Sequence, residues 1–304
     1  MKPQKEIWMD GKLVPWDDAK IHVLTHGLHY GMAIFEGIRA FKTPSGTAIF
    51  RLPEHIERLM NSAKIYRMNL GFSAKEIAQA CVDLVRNNPA EECYLRPIAY
   101  TGYGEMGLNP LTSKISVAIA SWEWGAYLGD ASKKGVRATI TNWVRIDSRA
   151  MPVQAKCAAN YANSALAKMQ AVAAGYDEAI LLNVNGMVAE GPGENIFRVK
   201  DGILSTPPAS SGILRGITRD TVIQFARDEK ITFYRNDATK EELYTSDEVF
   251  FSGTAAGIAR VSEIDGRQIG DNGTPITDRL AKLYEQTIHG KVRRYSKWLT
   301  PVSP

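Results

Sequence analysis

The feature that most limits what this chain can fold into is a run of turn-separated strands between positions 178 and 205. EAILLNV turns at Asn185-Gly186 into MVAE, and NIFRV turns at Asp201-Gly202 into ILS. Asn-Gly and Asp-Gly steps between apolar runs are hairpin signals, because both residues tolerate the backbone that a tight turn requires. Strands this closely spaced leave no length for crossover helices, so the regular βαβ alternation of a doubly wound sheet is excluded.

The remaining segments mix both element types. Asp10-Gly11 is a further hairpin signal, Ala33 to Phe41 is strand-like up to the turn at Pro44-Ser45-Gly46, and Ala48 to Leu52 pairs with it. Pro53 opens a helix with Ile56, Leu59, Met60 and Ala63 on one face, and Ser73 with Glu76 forms a capping box for a second helix to about Arg86. Glu92 to Tyr100, Lys114 to Trp122 and Val136 to Val144 read as extended. An Ala-rich helix runs from Asn160 to Gly175. Others start near Thr218, at the Thr239–Glu242 capping box and at Thr277, and EVFFSGT is a strand. With 304 residues this predicts a mixed α/β (α+β) protein of two domains. They are a smaller N-terminal α/β domain over 1–124 and a larger C-terminal mixed-sheet domain over 136–304, joined by an interdomain loop at 125–135.

Several function classes drop out. The net charge of +4 is spread without a run of five like charges, which argues against nucleic-acid or membrane partners. Cys81, Cys93 and Cys157 are odd in number and form no CxxC pair, so no disulfide framework or thiolate metal site is expected and a reduced cytoplasm fits best. Neither a signal-type opening nor an apolar run of about 18 residues is present in the sequence. Gly102, Gly104 and Gly107 spell GxGxxG, but Leu108-Asn109-Pro110 follows where a helix should open, so a dinucleotide fingerprint is rejected. His22, His26 and His29 lie in a turn-like stretch without metal-ligand spacing, and no metal is expected.

Four pieces of the second half read together as a site for a phosphorylated, protonated aromatic ring, although each alone is an ordinary turn or cap. In MPVQAKCAANYANS, Lys156 sits among small residues ahead of a helix. Burial there favours an amine able to form a Schiff base, with Tyr161 placed to hydrogen-bond a ring hydroxyl. VAEGPGENIF puts Glu190 beside a Gly-Pro-Gly turn between strands, and a buried carboxylate there would keep a pyridine nitrogen protonated. LRGITRD and SGTAAG resemble anion cradles, with Thr218 at a helix start and Thr254 after a strand.

The order KxxxNY, EGxGEN, GITRD and SGTAA from Lys156 onward resembles the fold-type IV pyridoxal-phosphate enzymes. HGLHYGMAIFEGIRAF, IFRLPEH, CYLRP, MGLNP and WEWGAYLG extend the likeness, over nearly the whole chain, to the branched-chain aminotransferases. The resemblance implies pyridoxal 5'-phosphate as cofactor, bound to Lys156, which also shuttles the proton. It pairs Glu190 with the ring nitrogen and Tyr161 with the ring oxygen, and sets Arg51, Ile217, Thr218 and Thr254 on the phosphate. It also implies transfer of the amino group of L-leucine, L-isoleucine or L-valine to 2-oxoglutarate. Tyr30, Phe35, Tyr94, Trp124 and Tyr127 would wall the pocket, Arg96 would meet the distal carboxylate of glutamate, and Tyr94 with the amides of Thr254 and Ala255 would hold the α-carboxylate. Arg39 supports this cluster from behind. Arg96 alternates with Tyr94 and Ile98 along a strand, which puts all three on one face and requires the arginine to be paired or at a pocket wall.

In that family the residues matching Tyr30, Met106 and Leu108 reach in from a neighbouring subunit, implying a homodimer as the minimal unit, with a hexamer as the larger alternative. Rival readings are a D-amino-acid or (R)-amine transaminase or an aminodeoxychorismate lyase of the same fold, and, outside catalysis, a phosphate-ligand binding protein. GIARV after SGTAA, and Cys-Ala-Ala in KCAANY, depart from the family pattern next to the site.

Overall fold

A computed structural model describes residues 2–124, 134–270 and 273–302. In chain order the elements begin β1 (Glu6–Met9), β2 (Lys12–Pro15), α1 (His26–Tyr30), β3 (Ala33–Phe35), β4 (Ile38–Thr43), β5 (Gly46–Phe50), α2 (Leu52–Ile65), α3 (Ala74–Asn87), β6 (Cys93–Thr101) and β7 (Ile115–Trp122). They continue with β8 (Val136–Ile140), α4 (Asn160–Ala173), β9 (Glu178–Leu182), β10 (Val188–Glu190), β11 (Asn195–Lys200), β12 (Ile203–Thr206), α5 (Ile217–Asp228) and β13 (Phe233–Arg235). The last are α6 (Lys240–Tyr244), β14 (Glu248–Gly253), β15 (Gly257–Ile264), β16 (Arg267–Gln268), α7 (Pro275–Ile288) and β17 (Leu299–Pro301).

The chain forms two compact units. One comprises Met1–Gly125, Ala155–Ala159 and Thr287–Pro304, and the other Ala126–Gln154 and Asn160–Gln286. Local pattern suggests a contiguous second half over 136–304, yet the chain returns to the first unit twice. The reason is strand pairing at long range. The Phe35 N–H donates to the Lys156 carbonyl at 3.0 Å, the Ala158 N–H to the Ala33 carbonyl at 2.8 Å, and β17 pairs with β5.

In the first unit the sheet runs β17-β5-β4-β6-β7-β1-β2, with β3 also on β6. The β1–β2 turn takes φ of 44° at Asp10 and 92° at Gly11, the conformation its sequence calls for. The expected capping box forms at α3: Glu76 N–H donates to Ser73 Oγ and Ser73 N–H to the Glu76 carboxylate at 2.7 Å. Ile56, Leu59 and Ala63 of α2 and Ile77, Cys81 and Leu84 of α3 pack into one core with Ile34, Ile38 and Leu95. The single strand expected over Ala33 to Phe41 is broken at Glu36-Gly37. Glu36 turns inward there, its N–H donating to the Pro97 carbonyl at 2.8 Å. The turn-like histidine stretch holds the short helix α1, and no helix opens over 102–110.

In the second unit the pairing path runs β10-β9-β8-β15-β14-β11-β12-β13, and β10 also pairs with β11. Strands β10, β9, β8, β15, β14 and β11 therefore form a closed pairing circuit, completed by the single pair Glu190↔Asn195. The hairpins at Asn185-Gly186 and Asp201-Gly202 connect antiparallel neighbours, whereas β8 is parallel to both β9 and β15. Among the described residues no helix is long and apolar enough to cross a membrane.

Candidate active site

Lys156 lies in a short extended stretch that adds to β3 in the first unit. Its carbonyl accepts from Phe35 N–H, its own N–H donates to Ser62 Oγ at 3.1 Å, and Cys157 bridges to Ile34. The lysine backbone is thus fixed on both sides while its ammonium stands 4.9 Å from the centre of the Phe35 ring. The guanidinium of Arg96 stands 4.7 Å from the same ring, 5.3 Å from Tyr94 and 5.7 Å from Trp122. Strand alternation sets it there, as expected, and Arg96 Nη2 donates to the Tyr94 hydroxyl at 3.2 Å. Its Nε is buried without a hydrogen-bond partner among the described residues.

Trp124 packs edge-on against Tyr94 at 4.6 Å. A Cβ at Gly37 would stand 1.9 Å from the Tyr94 hydroxyl, so only glycine lets that hydroxyl rest where it does. Arg39 faces Tyr94 in register and pairs with Glu92 at 3.2 Å. Tyr30 donates to the Met106 carbonyl at 3.1 Å, and Leu108 on the same loop is 82% exposed. Tyr127 lies outside the described residues, as does most of the 125–135 loop.

Arg51 precedes α2 with a left-handed backbone, φ 54°, which costs a non-glycine residue free energy and is retained mostly where function requires it. Its Nε donates to Glu54 at 2.6 Å and its guanidinium lies 4.7 Å from the Trp298 ring centre. At intervals of four, three and four residues along α2 follow His55, Arg58 and Ser62, which share one helix face. Fully buried Glu36 accepts from His55 Nδ1 at 2.8 Å, from Arg58 Nε at 2.7 Å and from Arg58 Nη2 at 2.8 Å. Burial alone would raise its pKa, but the Arg58 charge and these hydrogen bonds hold it well below the usual carboxylate range. Burial likewise holds His55 below the ordinary imidazole value against the pull of Glu36.

The second unit carries Glu190 at the end of β10, directly opposite Asn195 on β11. Its carboxylate accepts from Arg145 Nη2 at 2.9 Å, Asn195 Nδ2 at 2.9 Å and the Leu214 N–H at 3.1 Å. Gly216 is the N-cap of α5 and offers no capping side chain, so the first-turn N–H groups stand at an uncapped helix N-terminus, where Thr218 is buried and Ile217 half-buried. Thr254 and Ala255 form the turn from β14 to β15, and Tyr161 is the second residue of α4. Glu194 is buried too, and burial together with the nearby Glu178 pushes its pKa up to about 8.

Sequence reading missed Arg145, Asn195, Glu36, His55, Arg58 and Ser62. The 4-3-4 polar spacing on α2 is a local signal that was available. Arg145 carries none, because only the packing of its loop brings it to Glu190. The residues present fit a phosphorylated pyridine aldehyde. The first unit offers a fixed lysine amine and an arginine at a strained position, and the second, described by itself, a carboxylate held by donors and an uncapped helix start; each set has the chemistry to meet polar groups of such a molecule. Among the described residues no cluster of three or more His, Cys, Asp or Glu is placed to hold a metal ion.

Comparison with known proteins agrees with this chemistry. The family model for amino-transferase class IV matches residues 33–264. The branched-chain-amino-acid aminotransferase of Pseudomonas aeruginosa is 44% identical over 298 residues, covering 97% of each chain. A solved branched-chain amino acid aminotransferase complexed with N-(5'-phosphopyridoxyl)-L-glutamate superposes with a TM-score of 0.95 at 46% identity over 100% of both chains. The branched-chain aminotransferase of Thermoproteus uzoniensis with norvaline gives a TM-score of 0.94 at 45% identity, covering 98% of this chain and 99% of that one.

Proposed function

The chain belongs to the class IV aminotransferases, and we propose that it transfers the amino group of L-leucine, L-isoleucine or L-valine to 2-oxoglutarate with pyridoxal 5'-phosphate as cofactor. The observation that carries this reading is the shared ring of Phe35, near which stand both the Lys156 amine and the Arg96 guanidinium. A reactive amine beside an apolar wall suits branched aliphatic side chains, whose burial is worth about 0.8 kcal/mol per CH₂. The buried Arg96 Nε, without a partner among the described residues, suits the distal carboxylate of glutamate, which must use the same pocket in the other half of the reaction.

When bound, the cofactor supplies an aldehyde that takes the amino nitrogen and a ring that accepts the electron pair left at the α-carbon. With the cofactor bound, Lys156 Nζ would hold its aldehyde and, once freed by the substrate amine, would carry the proton taken from the substrate α-carbon. Glu190 would keep a proton on the ring nitrogen and Tyr161 would donate to the ring oxygen. The Arg51 guanidinium, the first-turn N–H groups of α5, Thr218 and Thr254 would bind the phosphate. Tyr94 with the amides of Thr254 and Ala255 would orient the α-carboxylate, and Phe35 and Trp124 would exclude water.

The working form is a homodimer or a multiple of it. Val23, Leu28, Tyr30, Tyr103, Leu108 and Leu111 are exposed apolar side chains on two segments that the Tyr30–Met106 and His26–Gly107 hydrogen bonds tie together, and a surface of this kind is suited to a second copy. Three free, buried cysteines accord with a cytoplasmic location.

The decisive experiment is the absorbance spectrum of the purified protein before and after L-leucine and then 2-oxoglutarate. A near-visible band lost with leucine and restored by the keto acid is expected, and its loss in Lys156→Ala. No band after added pyridoxal phosphate would reject the reading. Faster turnover of (R)-1-phenylethylamine than of leucine would move the chain to the (R)-amine transaminases.

A further inference from the structure

Glu190 is surrounded by more than a ring-nitrogen partner needs. Arg145 leaves the segment after β8 with its N–H on the Leu182 carbonyl at 2.8 Å and its Nε on the Gly212 carbonyl at 3.3 Å, which fixes the fork before it reaches Glu190 at 2.9 Å. Both side chains of this pair are 7% exposed. Such a pair is a poor source of stability, because desolvating two charges offsets most of their attraction. Asn195 Nδ2 bridges Glu190 and the Leu214 carbonyl, both at 2.9 Å, and Asn195 Oδ1 fills the space beside Gly216 where α5 begins.

We propose that Arg145 and Asn195 are positioning residues for the ring-nitrogen carboxylate: Arg145 keeps the shared proton on the ring rather than on Glu190, and Asn195 locks the carboxylate to the start of α5. This inference rests on the proposed cofactor reading. Two bases, the ring nitrogen and Glu190, compete for one proton across their hydrogen bond. A fixed cation on the far side of the carboxylate stabilises its anion, so the proton stays on nitrogen, where it makes the ring an electron sink. Two further ionisable groups act on Glu190 and do not replace Arg145. Arg219 on α5 is committed to Thr206 Oγ1 at 3.3 Å and the Pro207 carbonyl at 2.8 Å, and Glu194 on the adjoining turn is itself an acid. Asn195 adds register: it ties the carboxylate that would meet the ring nitrogen to the helix start that would meet the phosphate, two separate groups of one ligand.

The test uses apoprotein of the full chain titrated by absorbance with pyridoxal phosphate and with its 1-deaza analogue, which carries carbon in place of the ring nitrogen. Arg145→Gln is expected to weaken pyridoxal phosphate at least tenfold while the analogue binds wild type and variant alike, and Arg145→Lys is expected to recover part of the loss. Asn195→Ala is expected to weaken both compounds, since register serves the phosphate as well. Equal weakening of both compounds by Arg145→Gln, or of neither, overturns the role given to Arg145. If Arg145→Gln does not fold, Arg145→Lys decides: a loss confined to pyridoxal phosphate supports the role, and a loss common to both compounds refutes it. Wild-type protein that bound neither compound would instead bring down the cofactor reading, and this inference with it.

Discussion

Asn195 Oδ1 lies 2.1 Å from where a Cβ at Gly216 would stand, so the residue that opens α5 and the residue that holds Glu190 occupy adjoining space. Gly216→Ala must push the amide away, and with it the Glu190 carboxylate. Overpacking of this kind costs about 1–3 kcal/mol. A lower melting temperature and weaker retention of pyridoxal phosphate are expected. An alanine variant with unchanged melting and cofactor titration would show that the amide can turn aside freely.

Gly37 stands in a similar relation to Tyr94, but on the substrate side of the chemistry. In Gly37→Ala the Tyr94 hydroxyl must leave its position and its hydrogen bond from Arg96 Nη2. Losing a hydrogen bond to a charged group costs about 1.5–3 kcal/mol, or on the order of tenfold to a hundredfold in kcat/KM. The loss should fall on leucine and glutamate alike, because Tyr94 is proposed to hold the α-carboxylate they share. The cofactor band should be unaffected. Loss of the band along with activity would mean that the Lys156 strand had moved.

Acid titration reports on Glu36. Its folded pKa is depressed below the unfolded value by Arg58 and by its hydrogen bonds, although burial opposes this. Its stabilisation is therefore complete above the ordinary carboxylate pKa of about 4.3 and is lost as pH falls below that value toward the folded pKa. Glu36→Gln removes the buried carboxylate that pairs with Arg58 and His55, at a cost of about 3–5 kcal/mol at neutral pH. In urea denaturation the gap between wild type and variant should be constant from about pH 8 to 6 and narrow below the unfolded value. A gap that does not change with pH would mean that packing, not charge, holds the cluster.

Glu194 gives the opposite slope. Burial and the charge of Glu178 raise its folded pKa to about 8, so its contribution is fully present below the unfolded value and is lost as pH rises through 8. Glu194→Gln removes that titration and keeps an acceptor for the Gly193 N–H, which donates to Glu194 at 3.1 Å. The variant should melt with wild type near pH 5 and above it near pH 9, by at least about 1 kcal/mol. Equal melting curves at both pH values would place an ion pair, not a neutral acid, at this position.

Much of the fold was legible in the sequence because the signals are local. Asp10-Gly11, Asn185-Gly186 and Asp201-Gly202 make the turns their conformational freedom permits, and Ser73–Glu76 and Thr239–Glu242 cap the helices they precede. Period-2 alternation put Arg96 beside Tyr94. What the tertiary structure alone decided depends on contacts distant in sequence. The loss of the Ala155–Ala159 strand to β3, the return of β17 to β5 and the parallel partners of β8 arise from pairings that no window of residues encodes. Buried charge obeys the same rule. Glu36 and Arg58 are 22 residues apart, and Arg145 stands 45 positions before Glu190. Each becomes a partner only after the backbone has closed around it, because a carboxylate out of water must find its donors wherever the packed chain provides them.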